Sequence, residues 1–337
     1  MTPDDGDSAR LLDLLAGKWR VQAVSTAAAL GIADRLGDGP RTPSELAAAI
    51  DADPDGLTRL LRVLVGLELL TEDERGRFAL TTFGAQLKQD AMGPLATFVG
   101  APEQWDPWPR LRDTLVEGGV AFERTHGAGL YEKMRSDADA ARRYDEAVDA
   151  FTRHEAAALL DAFDFSTASR VVDVGGGRGT LLCELLTRHA ELHGVLCDLP
   201  PVIERAREAR PESFGDRLAF AAGDFHETIP AGGDVYILKH VLHNWDDERA
   251  AALLRRCAEA MTPTGRILVI EGILLPAPHT DTTRLLDLEM LVLTGGRERR
   301  KPEWRRLFSN AGLAFEDARR LTPSSWLLVG STQPART

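Results

Sequence analysis

One stretch of nine residues limits what this chain can fold into. Residues 171–179 read Val-Val-Asp-Val-Gly-Gly-Gly-Arg-Gly, an extended apolar run that leads into a glycine cluster, and a helical pattern follows from Leu181. Strand, glycine turn and helix form the opening of a nucleotide-binding βαβ unit. Glycines suit such a turn because a backbone without Cβ atoms can bend sharply and approach a ligand closely.

Two acidic residues indicate which ligand this turn binds. Asp173 stands just before the glycines, where its carboxylate would repel a pyrophosphate and attract an ammonium group. Asp198 ends the next predicted strand, 23 residues after Gly175, and can accept hydrogen bonds from both ribose hydroxyls. Ammonium at one acid and ribose at the other favour S-adenosylmethionine over NAD. The remaining alternative is a glycine turn that only starts a helix.

The second half of the chain alternates strands and helices, which predicts an α/β fold with a mostly parallel sheet. We expect seven strands, the last two forming an antiparallel hairpin, at 170–174, 194–198, 217–222, 234–239, 265–271, 314–321 and 325–331. The third strand is followed by Gly223, Asp224 and Phe225. An acid and an aromatic side chain at a strand end suit an adenine, one accepting from its amine and the other packing on its ring.

Candidate catalytic residues follow the fourth and fifth strands. His243 comes after the apolar fourth strand, Glu271 closes the fifth, and Glu298 lies in a glycine-containing loop. A neutral imidazole oriented by carboxylates is a general base, because their charge fixes its tautomer and stabilises the imidazolium. We interpret His240 as a structural residue. A metal pair with His243 is disfavoured because no cysteine or further histidine cluster supports it.

The N-terminal region predicts helices, a capping box at Thr42 and Glu45, and a hairpin turn at Gly76. Two helices and a two-stranded wing resemble a winged helix, a fold that often binds DNA. Residues 1–100 contain 10 Lys and Arg against 15 Asp and Glu, and the whole chain carries a formal charge of -12. Because phosphate binding needs a basic face, dimerisation is favoured over DNA binding.

Composition limits the remaining classes of protein. At 337 residues two domains are expected, and the hydrophobic share of 44% is that of an ordinary globular protein. No apolar run reaches the roughly 18 residues that a membrane helix needs, and no secretion signal is evident. Cys183, Cys197 and Cys257 are widely spaced in apolar segments, as is typical of reduced core thiols. We therefore expect a cytoplasmic protein without a membrane partner.

A proline-interrupted helical segment at 91–160 concentrates large apolar side chains. Trp105, Trp108 and Met134 are core residues in one interpretation and the wall of a pocket for a flat aromatic substrate in the other. Together with Met290 and Leu293 they suggest an aromatic or polycyclic acceptor. We expect three segments: a winged-helix-like dimerisation domain at 1–100, a helical connector at 101–165 and an α/β domain at 166–337.

These motifs in combination resemble the small-molecule O-methyltransferases of the caffeate and hydroxyindole type, including their actinobacterial relatives that act on antibiotics. The resemblance covers nearly the whole chain and implies a Rossmann-like methyltransferase domain, a homodimer and no metal. It implies that His243 is the catalytic base flanked by Glu271 and Glu298, and that Met290 clamps the substrate ring. It implies an S-adenosylmethionine site made of Asp173, Gly175, Gly177, Asp198, Leu199, Gly223, Asp224, Phe225 and Lys239.

The sequence therefore predicts an enzyme that transfers a methyl group from S-adenosylmethionine to a hydroxyl of an aromatic small molecule, leaving S-adenosylhomocysteine. Two alternatives stay open. One is a methyltransferase-like hydroxylase or decarboxylase that binds the same cofactor, against which the retention of His243 and both glutamates argues. The other is a winged-helix DNA-binding regulator, against which the acidic N-terminal region argues.

Overall fold

The structure of the chain is a computed structural model that describes residues 5–209, 212–276 and 282–332. It divides into two compact units. The first consists of Met1–Asp106 with Ala138–Phe151, and the second of Pro107–Asp137 with Thr152–Thr337. Part of the predicted connector therefore belongs to each unit, and the three predicted segment boundaries remain a prediction.

The first unit is mainly helical. Helices α1 to α5 cover Asp5–Leu15, Gly17–Ala29, Ile32–Arg35, Pro43–Ile50 and Pro54–Gly66, and α6 and α7 cover Gly93–Val99 and Pro102–Trp105. The predicted capping box is present: the Glu45 N–H donates to Thr42 Oγ1, and the Thr42 N–H donates to Glu45 Oε2 over 2.7 Å. Asp53 caps α5 in the same way by accepting the Gly56 N–H. These caps satisfy backbone donors that a helix start leaves unpaired.

A small antiparallel sheet completes this unit. Strands β1 (Leu70–Glu72) and β2 (Phe78–Leu80) flank a turn in which Gly76 has a φ of 71°. Such a φ favours glycine, so the hairpin predicted from Gly76 is confirmed. Leu61, Leu64 and Phe78 lie in the buried core that these strands share with the helices. Helices followed by a two-stranded hairpin fit the predicted winged helix, and that more specific likeness stays a prediction.

The second unit begins with short helices and is built on one seven-stranded sheet. Helices α8 to α11 cover Leu111–Glu117, Ala121–His126, Leu130–Ser136 and Ala138–Ala162, the last running on from the first unit. Strands β3 to β9 cover Arg170–Val174, His193–Asp198, Leu218–Ala222, Gly233–Lys239, Met261–Glu271, Leu313–Arg320 and Trp326–Thr332. Their order is β5-β4-β3-β6-β7-β9-β8; β9 pairs in antiparallel fashion with both β7 and β8, and the other neighbouring strands pair in parallel. The predicted Rossmann-like sheet is confirmed.

Helices cover both faces of this sheet. Helices α12 to α16 cover Thr180–Arg188, Pro200–Ala209, Asp247–Ala260, Thr282–Leu293 and Lys301–Asn310. Successive strand residues enter different cores: Val171 and Val235 pack with α12 and α13, whereas Val172 and Tyr236 pack with α14 and α16. This alternation is what a strand buried on both faces requires. Within the described residues, no helix has the length and apolar character needed to cross a membrane.

Candidate active site

The carboxyl ends of the parallel strands carry most of the predicted site residues. In an open α/β sheet these ends meet at one edge, where ligands bind. Asp173 lies in β3, Asp198 ends β4, Gly223 to Phe225 follow β5, Lys239 ends β6 and Glu271 ends β7. His243 and Glu298 lie on connections that lead away from this edge.

The glycine loop is held by hydrogen bonds from its own backbone. The Gly175 N–H donates to the carbonyl of Cys197 over 2.8 Å, and the Gly177 N–H donates to Asp198 Oδ2 over 2.9 Å. Gly175 and Gly177 have φ values of 70° and 60°, which disfavour other residues. A Cβ atom on Gly176 would lie 2.5 Å from the Asp173 carboxylate. The loop therefore needs glycine both for its turns and for its contact with Asp173.

Asp173 is a buried acid that lacks an internal counterion in hydrogen-bond contact. It is 1% exposed, and its Oδ2 has no hydrogen-bond partner among the described residues. Burial raises the pKa of this carboxyl to about 7; Lys239 opposes the change and Asp198 adds to it. An unpaired buried carboxylate is costly. The geometry thus fits a cationic ligand group such as the ammonium of S-adenosylmethionine.

The neighbouring strand ends supply polar and aromatic groups. Asp198 Oδ1 accepts the Leu199 N–H over 2.7 Å, and Asp224 Oδ1 accepts the His226 N–H over 2.7 Å. The ring of Phe225 meets that of Trp245 edge to face, with centroids 6.4 Å apart. These contacts fix the side chains that we expect near the ribose and adenine, and their roles in binding stay predictions.

His243 lies in a 3₁₀ turn, Leu242–Asn244, that follows β6. Its Nδ1 is 2.8 Å from Glu298 Oε1 and 3.3 Å from Glu271 Oε2. The two predicted acids therefore flank the imidazole on one nitrogen. In the described part of the chain no group hydrogen-bonds to the other nitrogen, Nε2. Because a carboxylate accepts only from an N–H, this arrangement favours the tautomer that carries its proton on Nδ1.

Glu271 holds both the backbone and the side chain of this turn. Its Oε1 accepts the N–H groups of Leu242 and His243 over 2.8 and 3.2 Å, and its side chain is fully buried. Burial acts to raise the pKa of Glu271, but His243 and then His240 outweigh it, and the pKa lies below its usual value. Glu271 is therefore a charged group that the protein itself compensates.

The loop between α15 and α16 fixes Glu298. The Arg297 N–H donates to the carbonyl of His243 over 2.7 Å, and the Glu298 N–H donates to Asp287 Oδ1 over 2.8 Å. A Cβ atom on Gly296 would lie 2.0 Å from the His243 carbonyl oxygen, so only glycine allows this approach. The glycines ahead of Glu298 thus bring its carboxylate to the histidine.

Sequence reasoning missed Arg299, which fastens the same turn. Its side chain is 1% exposed; it donates to the carbonyls of Leu242 and Trp245 over 3.0 and 2.8 Å and pairs with Asp247. A guanidinium offers five donors in a fixed fork, which suits several acceptors at once. The only signal in the sequence was an arginine directly after the expected acid.

Sequence reasoning also missed Glu155, a residue of α11 whose carboxylate contacts the end of β6. Its Oε2 is 3.0 Å from Lys239 Nζ and 3.0 Å from His240 Nε2. No sequence pattern predicted this contact, because the partners lie more than 80 residues apart and α11 reads as an ordinary amphipathic helix. His240, interpreted as structural, and Lys239, expected at the cofactor, are both ion-paired here. The cofactor role of Lys239 stays a prediction.

His240, His243 and Glu271 also bring one potential metal-ligand atom each to within 4.8 Å of one another. Part of this set already has a partner within the protein, since His243 Nδ1 faces Glu298. That no metal takes part stays a prediction.

The residues expected to line the acceptor pocket are distributed over both units. Trp105 belongs to the first unit, whereas Trp108, Met134, Met290 and Leu293 belong to the second. Met134, Met290 and Leu293 are buried, and Trp108 is half-buried. Met290 and Leu293 lie on α15, immediately before the loop that carries Glu298. Tyr131, one turn from Met134 on α10, stacks on Trp245 with centroids 6.4 Å apart. Their contact with an acceptor stays a prediction.

Comparison with known proteins agrees with this fold. The O-methyltransferase domain family matches residues 108–314, and the O-methyltransferase dimerisation domain family matches residues 12–90. A mitomycin biosynthesis 6-O-methyltransferase of Streptomyces lavendulae is 38% identical over 90% of this chain and 88% of its own length. A phenazine O-methyltransferase of Lysobacter antibioticus is 37% identical over 97% and 96%. Human N-acetylserotonin methyltransferase, solved with S-adenosylmethionine, superposes with a TM-score of 0.91 at 26% identity, over 99% of this chain and 100% of that one.

The chain therefore belongs to the O-methyltransferase family. It is an S-adenosylmethionine-dependent O-methyltransferase, as the sequence predicted. The match to the dimerisation domain bears out the expected homodimer. Leu12, Leu14 and Trp19, each at least two-thirds exposed on α1 and α2, lie within the matched region. Dimerisation is thus a role of the N-terminal region, and that this region does not bind DNA stays a prediction.

Proposed function

We propose that this enzyme methylates a phenolic hydroxyl of an aromatic small molecule and that His243 is the general base. The observation that carries this proposal is the pair of buried carboxylates, Glu298 and Glu271, 2.8 and 3.3 Å from His243 Nδ1. The names of relatives support the acceptor class, since one is a phenazine O-methyltransferase and another a dihydroxy-methyl-naphthoate 7-O-methyltransferase.

The cofactor would be held by the strand ends of β3, β4 and β5. Asp173 would pair with its ammonium group, Asp198 would accept from its ribose hydroxyls, and Asp224 and Phe225 would face the adenine. Bound S-adenosylmethionine supplies an electrophilic methyl group on a sulfonium. The open space beside Gly177, where a Cβ atom would meet nothing within 4 Å, leaves room for a ligand against the loop.

His243 would remove the proton of the acceptor hydroxyl. A phenol has a pKa near 10 and is mostly protonated at neutral pH, so it is a poor nucleophile without a base. With its proton fixed on Nδ1, His243 presents the lone pair of Nε2 to the acceptor. As Nε2 takes up the phenolic proton, Glu298 and Glu271 stabilise the imidazolium that forms. Base catalysis of this kind contributes about 10²- to 10⁴-fold.

Aromatic, thioether and aliphatic side chains would form the wall of the acceptor site. We place Trp108, Met134, Met290 and Leu293 along it, with Trp105 as a further candidate. Thioethers adapt to the faces of aromatic rings, which suits a flat acceptor. We also propose that the enzyme works in the cytoplasm, because Cys183, Cys197 and Cys257 are buried free thiols. Separation of cell fractions with an antibody to the chain tests that location.

Replacement of His243 tests the base assignment. His243→Gln should retain S-adenosylmethionine binding by calorimetry and lose at least 100-fold in kcat with a phenolic acceptor. The matched control is His193→Gln, which lies at the exposed amino end of β4, away from the carboxyl ends of the strands. It should leave kcat unchanged. Intact binding together with near-normal turnover in His243→Gln would overturn the assignment.

Methyl-labelled cofactor separates methyl transfer from the hydroxylase or decarboxylase alternative. A methyltransferase moves the label to the acceptor and forms one S-adenosylhomocysteine for each product. A reaction that consumes the acceptor but leaves all label in the cofactor would contradict the proposed function.

A further inference from the structure

A second histidine lies next to the proposed base, in a strained backbone position. His240 has a φ of 54°, in the left-handed region that residues other than glycine seldom adopt. The Asn244 side chain donates to the His240 carbonyl over 3.1 Å, and the His240 N–H donates to the carbonyl of Ile270 over 3.0 Å. The backbone is thus fixed where the imidazole turns toward Glu155. Strain of this kind persists only where the surroundings impose it.

Glu155 and its neighbours determine the charge of His240. Glu155 is 1% exposed, and its carboxylate lies 3.0 and 3.3 Å from His240 Nε2. Burial acts to raise the pKa of Glu155, but His240 and then Lys239 hold it well below its usual range. Burial alone would lower the pKa of His240, whereas Glu155, opposed by Lys239 and helped by Glu271, raises it to about 9. At neutral pH the pair is therefore a carboxylate and an imidazolium.

The other nitrogen of His240 connects this pair to the proposed base. His240 Nδ1 is 3.8 Å from Glu271 Oε2, and that same oxygen is 3.3 Å from His243 Nδ1. Glu155, His240, Glu271, His243 and Glu298 thus form a row in which acids and imidazoles alternate. The two imidazole centroids are 5.4 Å apart. A positive charge on one ring acts directly on protonation of the other.

We propose that His240 is a positioning residue that holds a positive charge beside His243 and so opposes a second positive charge on that ring. This inference rests on the proposed role of His243 as the base. Two carboxylates next to an imidazole favour its charged form, which cannot accept a proton. A permanent imidazolium on the far side of Glu271 offsets part of that attraction.

The charged groups that face His240 come from four places. Glu155 faces it from α11, Lys239 precedes it on β6, Glu271 faces it from β7, and His243 follows it in the 3₁₀ turn. Lys239 pairs with the same Oε2 atom of Glu155. The His240 ring differs in that it lies between the α11 carboxylate and the β7 carboxylate, with one nitrogen toward each.

Two neutral variants of the pair test the proposal by the pH dependence of kcat/KM. His240→Asn removes the charge and keeps a residue type that tolerates a positive φ. Glu155→Gln keeps the shape but removes the anion that sustains the imidazolium. Both should move the acidic limb of the profile to higher pH by roughly one unit or more, the size expected for a charge at about 5 Å. The loss should approach about 10-fold at pH values below both acidic limbs, because one pH unit is a factor of ten in the deprotonated fraction, and it should vanish at pH values above them.

Glu103→Gln is the matched control. Glu103 is another buried glutamate, 4% exposed and paired with Arg143, but it belongs to the first unit. Its loss should affect thermal stability without moving the acidic limb. A uniform loss of activity at every pH in His240→Asn and Glu155→Gln would mean a merely structural role and would overturn the inference.

Histidine NMR of the wild-type protein provides a readout that needs neither variant nor turnover. The ¹⁵N signals of His240 are assigned by comparison with His240→Asn or, if that variant does not fold, with Glu155→Gln. At pH 8 these signals should remain those of a cationic imidazole. A neutral ring at pH 8 would refute the proposal. Failure of the proposed function gives a different result: if His243 is not the base, His243→Gln keeps both its turnover and the acidic limb of its pH profile.

Discussion

Two buried carboxylates at the edge of one sheet behave in opposite ways. Asp173 in β3 and Glu271 at the end of β7 are both at most 1% exposed. Burial dominates at Asp173 and raises its pKa to about 7, whereas His243 and His240 lower the pKa of Glu271 in spite of its burial. Glu271 Oε1 accepts two backbone N–H groups, whereas Asp173 Oδ2, like Glu271 Oε2, has no hydrogen-bond partner among the described residues.

The difference separates what the protein completes by itself from what it leaves to a ligand. Glu271 is stabilised in its charged form by two histidines and backbone donors, so folding alone completes the surroundings of the proposed base. Burial dominates at Asp173, which suits its proposed role as the partner of a cationic group of the cofactor. Three predictions test this contrast.

Removal of Glu271 should have the largest effect. Glu271→Ala would leave the N–H groups of Leu242 and His243 without their acceptor and both histidines without a shared anion. Breaking a buried charged network costs about 3 to 5 kcal/mol of the free energy of unfolding. Glu271→Gln retains an oxygen for the backbone donors and should cost about 1 to 2 kcal/mol. Urea denaturation measures both, and equal losses in the two variants would show that the backbone contacts contribute little.

Removal of the Asp173 charge should weaken cofactor binding without lowering the stability of the cofactor-free protein. Asp173→Asn should weaken S-adenosylmethionine binding about 10- to 100-fold, or roughly 1.4 to 2.8 kcal/mol, because the ammonium loses its anion. Without cofactor the variant should be at least as stable as the wild type at pH 8. The sign follows from the raised pKa: the folded state holds the proton up to about pH 7 instead of the usual 3.8, so ionisation between these values lowers wild-type stability.

Calorimetry and thermal unfolding of Asp173→Asn at pH 8 distinguish the two effects. Normal cofactor binding by Asp173→Asn would show that the ammonium group of the cofactor does not bind at Asp173. A variant that is strongly destabilised without cofactor would show that Asp173 is compensated within the protein after all, and the contrast with Glu271 would disappear.

Proton release on cofactor binding should be the smallest effect. With a pKa of about 7, Asp173 is half protonated at pH 7 in the free enzyme, and an ammonium partner favours its ionised form. Binding should therefore release about half a proton at pH 7 and less at pH 8.5. Calorimetry in buffers of different ionisation enthalpy measures this number. Asp173→Asn is the control, and a wild-type value of zero would contradict the raised pKa.

The sheet was largely predictable because its strands have strong local signals. Apolar runs located β3, β4, β5 and β6 to within about one residue, and the β8–β9 hairpin was found as well. Only β7 starts clearly earlier than expected, at Met261. Pro263 and Gly265 read as a loop, yet the start of the strand still pairs with Gly233 across an irregular register.

The chemistry of the site was predictable only where it followed a strand end. His243 and Glu271 were singled out because a histidine and an acid after apolar runs are unusual, and Glu298 because it is an acid in a glycine-containing loop; the structure brings the three together. Glu155 has no such signal, since it is one acid among several on α11. Its meaning depends on a long-range contact with His240, which periodicity and motif spacing do not encode.

The close approach of Gly296 to the His243 carbonyl has an evolutionary consequence. A methyl group there would push the loop off the histidine, so the hinge cannot vary without uncoupling Glu298. The preceding helix is under no such restriction along the face that carries Met290. With the proposed roles of Met290 and His243, new acceptors would be acquired by substitutions along α15 while the proton-transfer groups are inherited unaltered, so that one scaffold could diversify across many acceptors.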